Sequence, residues 1–337
     1  MRGLCKAVAA IFLSLCLAGC HEAERKYTST ILGAFDTVVK VIGYEEKKAD
    51  FDEKVGNARE MITELHRLFD IYHDYDGINN IKTINDMAGI APVAVDARII
   101  ELVELAVDMY HQSDGAVNVV LGPVLRIWHD YRGEGVALPQ MELLEEAYEL
   151  CDIGDLEIDR GAGTVFLKKA GMSLDMGACA KGFAADLAAN SLPGAYLVNA
   201  GGDVASSGPP GGGRESWNIG IQDPWSAEER EIITLGIREG AVVTSGDYER
   251  AYVVDGASYS HIIDPSTLMP AAHYRSVSVI GQGSALCDLL STALFILPRD
   301  RGGELAEAFG CGAIWILPDG SIESTDDVVY SPASGRG

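Results

Sequence analysis

An α+β fold, with helices packed on mixed or antiparallel sheets, is what this sequence predicts. Amphipathic helical stripes crowd its first half. From Asp155 onward the texture changes to short β-like runs punctuated by Gly, Asp and Pro. Helices early and antiparallel-looking strands late argue against a doubly wound sheet. The 337 residues, 47% of them apolar, suffice for one large or two medium cores.

Residues 36–44 (DTVVKVIGY) read as a strand. Over 52–69, Val55, Ala58, Met61, Ile62, Leu65 and Phe69 fall on one helical stripe. A polar, turn-rich stretch follows from Tyr72 to Gly89. A second amphipathic helix spans 97–112 and is closed by the Ser113-Asp114-Gly115 turn; Met141 to Leu150 is a third. Strands are expected at 155–159, 164–168, 195–199, 217–222, 231–237, 241–244, 251–254 and 273–280. Helices at 180–191 and 285–297 interrupt them. The Pro209-Pro210-Gly211-Gly212-Gly213 run reads as a loop between strands, since no helix start or Lys follows it to make a phosphate cradle.

The chain opens with a positive stretch (Arg2, Lys6), an apolar run from Ala7 to Leu17, and Leu17-Ala18-Gly19-Cys20. That is the layout of an export leader, and the run is too short to span a membrane. Its ending resembles the bacterial lipobox, so residues 1–19 are expected to be removed, Cys20 lipidated, and residues 20–29 left as a polar tether to a domain over 30–330. The expected location is outside the cytoplasm, lipid-anchored, on the periplasmic face. His21 leans towards the outer membrane. The net charge of −24 disfavours nucleic acid as a partner and a polybasic membrane mode. Past the leader, Cys151, Cys179, Cys287 and Cys311 show no metal-cluster spacing and read as buried small thiols.

Four segments carry chemistry. In Ser173–Gly182 a strand ends at Asp175, a small-residue turn follows and a helix starts, an arrangement that admits phosphate; tight packing with a solvated Lys181 explains it equally well. Asn199-Ala200-Gly201-Gly202-Asp203 reads as an ordinary turn. Ser245 to Pro270 gathers Asp247, Tyr248, Arg250, His261 and Asp264 around two short apolar runs. Its Ser-Gly-Asp and Asp-Gly steps are turn signals, whereas a His followed three residues later by Asp-Pro suggests a site. In Ser284–Leu294, a greasy helix capped near Ser284, Asp288 and Thr292 lie four apart on one face. Carboxylate, hydroxyl and carbonyl oxygens suit Mg²⁺, unless both side chains merely bond to backbone.

SLDMGACAKGFAADLA, LVNAGGDV, SGDYERAYVVDGASYSHIIDP and CDLLSTAL, in that order, resemble the signature blocks of the FAD:protein FMN transferases, the ApbE lipoproteins. ILGAFDT, HDYDGINNIKTIN and SDGAVNVVLGPVLRIW continue the likeness upstream. The resemblance implies transfer of FMN from FAD to a Ser or Thr hydroxyl of an exported protein, with release of AMP. It implies Mg²⁺ on the Ala178 carbonyl, Asp288 and Thr292, with Ser291 close by. It implies flavin contacts from Leu32, Tyr75, Ala116, Val117, Asn118, Asp175, Lys181 and Ile262. Departures from the family pattern at Leu32-Gly33-Ala34, His73-Asp74-Tyr75, Val117–Val120 and Asp264–Leu268 fall on the flavin side.

Within that expectation, His261 is the candidate base for the attacking hydroxyl, with Asp264 beside it; the alternative is a turn histidine anchored by Asp264. If one ion joins the segments at 178 and 288, Cys179 and Cys287 should be neighbours. Three competing readings are a flavin-storing lipoprotein, a Mg²⁺-dependent FAD pyrophosphatase and a structural surface lipoprotein.

Overall fold

The structure, a computed structural model, describes residues 23–333 apart from 136, 227 and 229. The leader and Cys20 lie outside the described residues. In chain order the elements are β1 (Arg25–Ala34), β2 (Thr37–Glu45), α1 (Lys48–Phe69), α2 (Ile81–Asp86), β3 (Val93–Ala94), α3 (Ala97–Gln112), α4 (Gly122–Glu134) and α5 (Met141–Tyr148). Next come β4 (Leu156–Asp159), β5 (Thr164–Leu167), α6 (Ala180–Ser191), β6 (Tyr196–Ala200), β7 (Asp203–Ser206), β8 (Trp217–Gln222), β9 (Glu231–Ile237) and β10 (Gly240–Gly246). The chain continues through β11 (Tyr252–Val254), β12 (Ala257–Tyr259), β13 (Ile263–Asp264), β14 (Met269–Pro270), β15 (Ser276–Gly281), α7 (Ser284–Ile296), α8 (Arg299–Ala308), β16 (Gly312–Ile316), β17 (Ile322–Ser324) and β18 (Tyr330–Pro332).

Eight strands form the central sheet, in the order β1-β2-β6-β7-β10-β15-β16-β17. Every neighbouring pair in it is antiparallel. Alternation along each strand sends residues to opposite faces, and both faces are buried. On β10, Ala241 and Val243 face the helices, whereas Val242 joins β8 and β9 on the other side. Under β2 and β6, α1 packs Phe51, Val55, Ala58 and Ile62 against Ala185, Ala188 and Ala189 of α6. Buried side chains of this size each contribute ~1.5–3 kcal/mol. The α+β expectation is borne out, and the sheets are antiparallel.

Several details differ from expectation. Strand β1 already begins at Arg25, inside the expected tether. The polar stretch after Tyr72 contains α2, whose start is closed by a reciprocal Asn80–Thr83 capping box. Helix α4 starts at Gly122-Pro123, where Pro tolerates the first helical turn. Ser245-Gly246-Asp247 is not a tight turn: β10 runs through Gly246, where a Cβ would lie 2.6 Å from the Tyr248 ring. The Asp255-Gly256 step does make the β11–β12 turn, with φ of 49° and 81°.

Candidate functional site

The site begins where α6 and α7 meet. Gly182 of α6 lies against the first turn of α7; a Cβ there would collide with the Ser284 carbonyl and come within 2.9 Å of the Asp288 Cβ. That close approach lets each helix serve the other's start. The Asp288 carboxylate accepts the Gly182 N–H at 3.2 Å, an early amide of α6. In return, Asp186 of α6 accepts the Ser284 and Ala285 N–H groups at 2.8 Å each. These are amides that a helix cannot satisfy itself. So α7 is capped by Asp186 from outside, and not by Ser284.

Lys181 completes a buried charge cluster. Its Nζ lies 3.1 Å from Asp203 Oδ2 and 3.7 Å from Asp288 Oδ2. Burial alone would lower the Lys181 ammonium, but the Asp203 and Asp288 carboxylates raise it, so it stays charged. Burial, then the nearby Asp288, pushes Asp203 well above the usual carboxylate range. Asp203 Oδ2 faces Lys181 without the geometry of a hydrogen bond. Asn199 and both glycines do make a turn, with the Gly202 N–H donating to Asn199 Oδ1 at 2.9 Å. The turn's last residue, Asp203, is nonetheless part of the site, a role that turn chemistry alone did not signal.

These groups open onto a cleft of about 890 Å³. Ala178, Lys181, Asp203, Asp288 and Thr292 form one wall, and Ala116, Val117, Asn118, Asp175 and Ile262 line it elsewhere. Asn118 is held rigidly, its Nδ2 donating to the Cys151 carbonyl and its Oδ1 accepting the Val120 N–H. Asp175 accepts the Gly177 N–H at 2.8 Å, and burial raises its carboxyl. A carbonyl, a carboxylate and a hydroxyl, from Ala178, Asp288 and Thr292, are a fit donor set for Mg²⁺, which binds few carboxylates and keeps places for water and phosphate. Among the described residues no group of three or more His, Cys, Asp or Glu could hold a metal.

His261 also lines the cleft, and its Nδ1 lies 2.9 Å from the Glu249 carbonyl. A carbonyl oxygen only accepts, so Nδ1 carries the proton and Nε2 keeps its lone pair. Burial, reinforced by Arg250, pushes His261 down to about 4, which keeps the ring neutral at physiological pH. Arg250 itself adopts a left-handed φ of 49°. Arg132, whose guanidinium is lowered by burial and by Arg250, bridges to His129 Nδ1 at 2.9 Å. Helix α4 is held here by Trp128, whose indole N–H donates to the Leu268 carbonyl at 2.9 Å.

The ApbE family profile matches residues 35–315. The chain belongs to the ApbE family. A FAD:protein FMN transferase of Treponema pallidum is 36% identical over 268 residues, 74% of this chain and 74% of that protein. One from Klebsiella pneumoniae is 31% identical, covering 72% of this chain and 77% of that one. Among solved structures, the ApbE protein of Thermotoga maritima superposes with a TM-score of 0.80 at 30% identity, over 90% of this chain and 97% of the other.

Not every residue expected from the ApbE resemblance reaches the cleft. Leu32 is 73% exposed on β1, and the turn beyond it contributes Asp36 and Thr37 instead. Tyr75 donates its hydroxyl to Asp70 at 2.7 Å; burial, then Asp70, pushes the phenol up to about 12. Asp70 also gathers the Tyr72 and His73 amides, and this knot turns Tyr72, 60% exposed, onto the cleft wall. Asp264 accepts the Ser266 N–H and hydroxyl in its own turn, outside the cleft lining, and does not anchor His261. Ser291 is buried behind the wall, its hydroxyl 2.8 Å from Ser245 and donating to the Asp288 carbonyl. Cys287 meets Cys311 across Gly281. Cys151, Cys179, Cys287 and Cys311 are all buried and free.

Proposed function

We infer that this chain transfers FMN from FAD to a protein hydroxyl, a Ser or Thr side chain, releasing AMP. The observation that carries this reading is the convergence on one cleft of a hard-oxygen donor set, a charged lysine and a histidine with a free Nε2. Relatives that share the family are named for the same transfer.

Phosphoryl transfer asks for placement and charge neutralisation more than covalent work. Ala178, Asp288 and Thr292 would hold Mg²⁺, which when bound offsets the charge of the pyrophosphate and of the leaving phosphate. Lys181, kept protonated by Asp203, adds a second positive group to that wall. His261 accepts the proton of the attacking hydroxyl at Nε2, while the Glu249 carbonyl fixes the tautomer and ring plane. Asp175 and Asn118 orient hydroxyls or ring edges of the flavin half. Tyr72 offers a flat face, and Arg132 and Arg250 make the rim cationic in an otherwise acidic protein. Asp264 and Ser291 support these groups through the Asp-Pro turn and the seating of α7.

Residues 1–20 support an exported, lipid-anchored enzyme. Among the described residues no helix is long and apolar enough to cross a membrane. The test is incubation with FAD, Mg²⁺ and an acceptor protein bearing exposed Ser and Thr. Fluorescent, covalently flavinylated protein is the expected product. Free FMN without protein labelling would replace the transferase with a pyrophosphatase, and tight FAD binding without turnover would make the cleft a storage site.

A further inference from the structure

Two thiols the transfer reaction does not use face each other behind the ion-binding wall. Cys287 stands in the first turn of α7, and Cys311 just precedes β16. Neither touches solvent appreciably: Cys287 is 0% exposed and Cys311 4%. Their meeting point is Gly281, the last residue of β15. A Cβ on Gly281 would lie 2.8 Å from the Cys287 Sγ and 2.8 Å from the Cys311 Sγ. Both sulfurs therefore occupy the space a side chain would fill there, and twice that distance is the most that can separate them. Placement of this kind, in segments held by a helix start and a paired strand, brings the two sulfurs within reach of each other.

We propose that Cys287 and Cys311 form an intramolecular disulfide by exchange with a disulfide donor, tying the start of α7 to the strand β16. The Cys311 thiolate attacks one sulfur of the donor and displaces the other as a thiol. The Cys287 sulfur then attacks Cys311 Sγ and displaces the second. Both cysteine protons leave with the donor's sulfurs, so two thiols are oxidised and one donor disulfide is reduced to two thiols. Cys311, the slightly more accessible of the two, suits the first role. Exchange occurs before or during burial, since the folded core covers both sulfurs. An exported location is where such a bond persists. The bond would brace the helix turn immediately before Asp288.

The test needs no flavin, so its outcome is independent of the transferase reading. The full chain, purified reduced, is unfolded and refolded with and without a glutathione disulfide and glutathione mixture, alkylated, and mapped by peptide mass. The expected result joins the Cys287 and Cys311 peptides and leaves Cys151 and Cys179 alkylated. The melting temperature rises by roughly 5 °C, and dithiothreitol reverses the rise. Cys311→Ser and Cys287→Ala should each lose the oxidant-dependent rise while keeping the melting temperature of their own reduced forms. Full alkylation of Cys287 and Cys311 after oxidising refolding, or a bond from either one to Cys151 or Cys179, overturns the proposal.

Discussion

The two walls of the cleft are built on different principles. The wall carrying Asp288 is a junction of two regular helices, buried and cross-capped, with Gly182 set against Ser284 and Asp288. The other wall is assembled from side chains on a loop (Tyr72), a helix flank (His129, Arg132) and a strained turn (Arg250). One wall is fixed by backbone; the other is a set of adjustable side chains. Chemistry that tolerates little displacement belongs on the first, and recognition of the substrate's larger half on the second. Of the departures from the ApbE pattern, those at Val117 to Val119 reach the cleft lining, on neither of these two helices.

The comparison can be broken by substitution. Asp288→Asn should do the most damage, lowering transfer about 10³-fold or more in a flavin-fluorescence assay, because it removes the only carboxylate assigned to the ion. Near-normal transfer by that variant would end the claim that this wall does the chemistry. His261→Ala should lower the rate by about 10²–10³-fold. With His261 pushed down to about 4, the acid limb of the wild-type rate should fall near that value, not near 6.5. The same shift bears on folding. The folded ring binds its proton more weakly than the unfolded one, so its contribution to stability is full above about 6.5. It declines as pH falls towards 4. A stability curve flat from pH 7 to 4 would contradict the burial of this ring.

Gly182→Ala sharpens the rigid side of the contrast. Its methyl group meets backbone, so about 1–3 kcal/mol of stability should be lost in urea unfolding, together with activity. Tyr72→Ala probes the other side and should have the smallest effect, raising the KM for FAD several-fold, equivalent to about 1 kcal/mol, with kcat little changed. A collapse of kcat instead would mean that the adjustable wall also positions the reacting atoms.

How much of this was legible follows the same division. Helices α3 and α6 fell at their expected boundaries because apolar stripes and turn residues mark them locally. Asp288 and Thr292 could be paired from helical spacing alone. Asp203 could not, since the Gly-Gly turn that carries it satisfies every local rule, and its partner Lys181 is supplied by another segment. Tyr75 was preferred to Tyr72 by position in the family motif; the choice between them is made by Asp70, which ties down one phenol and swings out the other. Arg132 goes unmarked because no helix is expected over the segment that carries it.

The exchange of carboxylates between α6 and α7 has a consequence for how this pair of helices can change over time. Sliding either one by a turn, about 5.4 Å, would pull both acids off their amides at once. The two behave as a mutual latch, closed or open together. Insertions and deletions in either helix start are thereby barred, even where the surrounding loops accept them freely.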